Sequence, residues 1–157
     1  MNTAAVARGL MLAAILAGCA ATPEATPDRD AAAKHFEPAA RAAVIYLYRA
    51  DSPGSRGVTT VWVDGRLVGQ SLPATYFRVI ARPGRNHIHA TGADAGRLDI
   101  ETRPEAVYFV AMHVSGQEEG SSSTVFRSVA PAAAQAAIQR CCSLLETWRP
   151  GQWRVPL

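Results

Sequence analysis

Between residues 42 and 129 the chain is interrupted by turn-forming residues every 8 to 15 positions, and the pieces between them are short, β-branched and aromatic. That punctuation constrains the fold more than anything else in the sequence, because pieces of this kind read as strands. The strongest local signal is the dipeptide Asp64-Gly65 between residues 58–63 (VTTVWV) and 66–70 (RLVGQ). Asp-Gly supplies the backbone freedom that a two-residue hairpin demands. Further strands are predicted at 43–48 (AVIYLY), 76–81 (YFRVIA), 86–91 (NHIHAT), 98–102 (LDIET), 106–114 (AVYFVAMHV) and 124–129 (TVFRSV). Residues 106–114 are the longest apolar run and read as a central strand. The fold class predicted is mainly β, a small antiparallel β-sandwich.

The end of the chain has a different texture. Pro131 suits the first turn of a helix, and Ala, Gln, Leu and Glu favour helix from there to Trp148. Ile138, Cys141, Cys142, Leu145 and Trp148 fall on one stripe at helical spacing. A C-terminal helix over 131–148, packed on the sandwich, is therefore expected.

The beginning differs again. One charge, Arg8, precedes an apolar run of eight residues, LMLAAILA, at 10–17. It is too short to span a bilayer and has the order of a secretory signal. Leu16, Ala17, Gly18 and Cys19 resemble the bacterial lipobox. That resemblance implies removal of residues 1–18, a diacylglyceryl thioether on the Cys19 sulfur and acylation of the new amino terminus. More than one acyl chain holds a protein stably on a membrane. No aspartate follows Cys19, which points to the outer membrane, facing the periplasm, in a host with two membranes. Residues 19–41 carry Pro23, Pro27, Pro38, several Ala and mixed charge. They read as a lipidated flexible tether, leaving 42–157 as the folded domain.

The stretches AAVIYLYRA, VWVDGRLVGQSLPATYFRVIARPGRNHIHA and VYFVAMHV resemble the bacterial lipoprotein family called domain of unknown function 2846. The strand, Asp-Gly, strand order followed by Pro83-Gly84 and His87 is similar to the PEGA-type surface modules, although Arg82-Pro83-Gly84-Arg85 stands where those carry Pro-Glu-Gly-Ala. The likeness spans about residues 42–130. It implies a small β-sandwich on a lipid anchor and brings no catalytic residues with it.

Candidate chemistry is sparse. His87 and His89 lie two apart on a strand and share a face. With His113 they form a candidate zinc set for a small metal-dependent periplasmic enzyme. Cys141 and Cys142 are candidates for redox chemistry or cross-linking. Joining neighbours within a helix is disfavoured by geometry, so one is expected to pack inward as a small hydrophobe and the other to stay exposed. Trp148, Arg149, Trp153 and Arg154 put aromatic and basic groups together, as a contact for glycan, peptidoglycan, lipid headgroups or a partner protein. There is no Gly-x-Ser-x-Gly elbow and no phosphate-binding loop. The formal charge of +3, with Arg8 in the segment removed, is too small to imply nucleic acid. The reading that results is a non-enzymatic envelope lipoprotein without a cofactor. It is anchored through Cys19 and presents a sandwich to a protein or cell-wall partner.

Overall fold

The computed structural model describes residues 22–51, 57–91, 96–116 and 122–147. Their elements, in chain order, are α1 (Pro27–Ala33), β1 (Ala43–Arg49), β2 (Thr59–Val63), β3 (Arg66–Ser71), β4 (Thr75–Ala81), β5 (Gly84–Ala90), β6 (Arg97–Thr102), β7 (Val107–Ser115), β8 (Ser123–Ser128), α2 (Pro131–Cys141) and β9 (Ser143–Leu145). The strands make two sheets, ordered β8-β7-β1-β4-β9 and β3-β2-β5-β6. The sandwich expected from the turn spacing is what forms.

The hairpin at Asp64-Gly65 closes as its residues require, with φ of 50° and 70°. Its position is fixed by β5. The Asp64 amide donates to the His87 carbonyl at 2.9 Å, and the His87 amide donates to Asp64 Oδ1 at 2.8 Å.

Between the sheets, Ile45, Leu47, Phe77, Val79, Val110 and Met112 meet Val61, Val63, Ile88 and Ile100. The five-stranded sheet is covered a second time, on its outer face, by α1 and α2. There Val44, Tyr46, Tyr76 and Phe109 pack with Ala33, Phe36, Ala134 and Ile138. This double cover explains why every residue of β1 is buried, and why its sequence is continuously apolar up to Arg49 instead of alternating. β1 pairs antiparallel with β4 and parallel with β7. In the four-stranded sheet one face only is covered, and β2 alternates strictly between buried and half-buried positions.

Two expectations are corrected. The tether predicted over 19–41 is folded wherever it is described. The Ala25 amide donates to the Leu144 carbonyl at 2.8 Å, the Glu146 amide to the Pro23 carbonyl at 2.9 Å, and the Gln70 amide to Thr22 Oγ1 at 2.8 Å. These bonds stitch residues 22–25 to β3 and β9. Gly69, at φ 153°, makes room for them, since a Cβ there would lie 3.2 Å from the Thr22 methyl and 3.0 Å from the Phe77 ring. α1 starts on Pro27 at its first turn, with Asp28 and Asp30 favourably placed against the helix dipole. Phe36, in the left-handed region at φ 55°, then turns its ring edge-on to Tyr46 and Phe109, with centroids at 5.2 and 5.6 Å. Among the described residues the packed unit therefore already includes Thr22, ahead of residue 42.

The C-terminal helix stops at Cys141 instead of running to 148. Cys142 is extended, with φ −124° and ψ 141°. Residues 143–145 then pair in parallel with residues 75–77 as β9. Leu144 and Leu145 are buried on opposite faces of the sheet, in the outer and inner cores. A helix would have put both near one side of its axis, whereas a strand serves both cores at once.

Candidate functional site

The histidines of the candidate zinc set do not converge. His87 and His89 on β5 point away from the inter-sheet core, to the outer face of the four-stranded sheet. His113 on β7 alternates with the inward Met112 and Val114, so it projects from the opposite outer face of the sandwich. Each imidazole has its own local partner. His87 Nδ1 lies 2.7 Å from Asp99 Oδ1, and His113 Nδ1 lies 3.3 Å from Asp51 Oδ1. His89 stacks on the Trp62 ring at 6.1 Å and 4°. Among the described residues no group of three or more His, Cys, Asp or Glu side chains is placed to hold a metal ion. The zinc set is thus corrected: strand periodicity joined the first two residues, and the sheet topology separates the third.

Asp51 is held mainly from the other side. Arg49, whose side chain is fully buried, donates Nε to Asp51 Oδ2 at 2.6 Å and Nη1 to the Gly57 carbonyl at 2.5 Å. This fork closes the end of β1.

The cysteine expectation is also corrected. Cys141 and Cys142 are joined to each other as a disulfide, with Cα atoms 3.7 Å apart. The short Cα separation that neighbours impose remains, but the pair is not within a helix: α2 ends at the first of them and the second is extended. Cys142 does pack inward, 4% exposed, among Tyr46, Tyr48 and Ile138. Cys141 is half-buried. Cys19, Trp148, Arg149, Trp153 and Arg154 lie outside the described residues.

A concave site does form, where the sequence gave no motif for it. β4 is seven residues long, but β9 pairs only with residues 75–77. Residues 78–81 are left without a ladder partner on that edge among the described residues. β3, in the other sheet, stands opposite this edge. The gap is a cleft of about 1020 Å³. Its walls are Val63, Leu67, Val68, Val79, Ile80, Leu144 and Leu145, closed at one side by Ala32 and Ala33 of α1 and at another by Trp62. Ile80 is 44% exposed, unusual for a large apolar side chain.

Three arginines and two glutamates, Glu37 and Glu146, rim these apolar walls. Arg29 is paired with Glu146. Arg66 reaches over β4, its Nη2 3.5 Å from the Ile80 carbonyl. Arg78 donates Nε to the Tyr46 hydroxyl at 3.2 Å and Nη2 to the Glu37 carbonyl at 3.2 Å. Among the described residues neither Arg66 nor Arg78 makes an ion pair.

Behind Arg78 lie two buried tyrosines and the Asp30–Lys34 ion pair. The Tyr46 hydroxyl donates to the Ala33 carbonyl at 2.6 Å. Burial pushes its pKa up, against the opposing pull of Arg78, so the phenol stays neutral. Tyr76 is pushed up further, by burial first and then by its 2.9 Å hydrogen bond to Asp30. Burial would also raise the Asp30 carboxyl. Hydrogen bonds from Lys34, Tyr76 and the Leu144 amide, together with the Lys34 charge, outweigh it and hold that group below its ordinary 3.8. Asp30 thereby fastens α1 to both β4 and β9, the two strands whose unequal lengths make the cleft.

No family model matches the chain, and neither a curated protein nor a solved structure matches it.

Proposed function

We propose that the chain is a lipid-anchored module of the bacterial envelope that binds a ligand or partner and does not transform it. The lipobox ending at Cys19 and the resemblance to domain of unknown function 2846 support the location. The cleft supports the binding. It is apolar, pre-formed and carries a few polar groups at its rim, which is the usual anatomy of a ligand site. Its free cations are arginines, which hold charge but do not exchange protons near neutral pH.

The observation that carries this reading is the start of the packed unit. Thr22 is bonded to β3, and Pro23 to the residue after β9, so the first described residues are tied to two elements that also line the cleft. Cys19 is three residues away, a span of at most about 11 Å. A lipid on that sulfur sets the cleft close to the membrane surface, on a stalk far shorter than a tether of 19–41 would give.

Intact-mass analysis of the protein purified from membranes of its host tests the location. The expected result is a chain beginning at Cys19 with acyl mass added, and release of a Cys19→Ser variant from the membrane fraction. An unmodified amino terminus, or one at another residue, overturns it.

A further inference from the structure

We infer that the cleft between β3 and β4 takes a single-chain fatty acid from the membrane surface, its carboxylate against Arg66 and Arg78 and its chain along Val68, Val79 and Leu145. The inference rests on the membrane-anchored reading and adds the chemical class of the ligand.

Charge argues for it first. Arg66 and Arg78 are bound only to a carbonyl, or to a carbonyl and a phenol, and make no ion pair among the described residues. Guanidinium groups at the lip of an apolar cleft suit a planar anion, which they bind through two parallel hydrogen bonds. The walls argue next. An anion without a hydrocarbon part would leave the exposed Ile80 and the half-buried Leu67 facing water, whereas an acyl chain covers them. Size admits an acyl lipid: a cleft of about 1020 Å³ is at the upper end of ligand sites and holds one acyl chain with room to spare.

Two other occupants fit less well. Residues 148–157 follow the cleft wall directly, but they carry Arg149 and Arg154 and no acid, like charges against the rim arginines. A peptide strand added along residues 78–81 would compete with Arg66 for the Ile80 carbonyl and make no use of the two guanidiniums.

The test uses the full processed chain in phosphatidylcholine nanodiscs, exposed to a palmitate carrying a photoreactive diazirine in its chain. Parallel samples contain the corresponding neutral alcohol and a diazirine phosphatidylglycerol. Palmitate is expected to label peptides containing residues 62–68 and 144–147. Arg66→Glu, at an exposed side chain, is expected to lower that labelling about ten-fold with an unchanged melting curve, and Arg66→Lys to retain more of it. Labelling by the alcohol should not exceed that of palmitate on Arg66→Glu. Equal labelling by palmitate and alcohol, stronger labelling by phosphatidylglycerol, or modification only outside the cleft overturns the inference. So does labelling that appears only when the chain is stopped after Thr147, which would assign the cleft to residues 148–157. Acylation of Cys19 is scored separately by mass. An acylated chain that ignores palmitate loses this inference alone, and an unacylated chain that takes palmitate loses the anchor alone.

Discussion

The two outer faces of the sandwich are made from similar strands and have opposite fates. On the five-stranded sheet, Tyr46, Tyr76 and Phe109 stack at 5.3 to 5.9 Å and are sealed by Phe36, α1 and α2. On the four-stranded sheet, His87 and Asp99 pair in the open, each 60% exposed, and Trp62 lies against His89. The covered face is a second core. Its contacts join the first described residues to the last, so it unites the chain as well as packing it. The open face is decorated surface, where an ion pair screened by water contributes little. The cleft lies where these two regimes meet, at the edge that neither α1 nor β9 fully covers.

Substitutions can sharpen that contrast. The largest effect is expected from Tyr46→Ala, which removes a fully buried ring from the covered face and the Ala33 hydrogen bond with it. A loss of about 3–5 kcal/mol in unfolding free energy follows for a deletion of this size. Urea titration measures it, and a loss below about 1 kcal/mol would mean that the helices do not seal that face.

Asp30→Asn comes second, at about 1–3 kcal/mol at neutral pH, because the variant loses charge-assisted bonds from Lys34, Tyr76 and Leu144. It also changes the pH dependence. The folded-state pKa of Asp30 is depressed below 3.8, so over that interval the unfolded chain binds more protons than the folded one, and stability rises with pH. The contribution is complete above 3.8 and is lost as pH falls through the lower folded-state value. Thermal melts of the wild type should show this acid-side decline, and the Asn variant should show less of it. Parallel curves would remove Asp30 from the account.

The smallest effect is expected on the open face. His87→Ala should shift stability by less than about 0.5 kcal/mol, read from the same urea titration. A larger change would show that this face is more than surface.

Much of this molecule is legible from residue order, and the remainder fails for physical reasons. Strands announce themselves through short-range rules: the Asp64-Gly65 hairpin, the alternation of β2, and the apolar run of β7 flanked by turns. β9 is invisible to those rules. Its three residues, Ser143, Leu144 and Leu145, lack a period, and Leu, Glu and Gln around them favour helix, so only pairing with β4 makes them a strand. Residues 22–40 mislead in the same way. They hold little apolar area, and their order comes from bonds to residues far along the chain, with Thr22, Arg29, Asp30 and Phe36 as side-chain fasteners. The cysteine pair depends on where α2 ends, and that is set by the same pairing. The cleft has no sequence signature at all, because it is a difference in length between two strands. Cys19 is the reverse case, a pattern read from four neighbouring residues alone.

The difference in length between β4 and β9 also bears on how copies of the chain meet. Residues 78–81 lack a ladder partner on that edge among the described residues, and an open strand edge is the template on which proteins polymerise edge to edge. Arg78 puts a fixed charge at the start of that stretch, and Arg66 lies across the Ile80 carbonyl. Charges at a strand edge disfavour such pairing, so replacing both with neutral residues is expected to promote self-association.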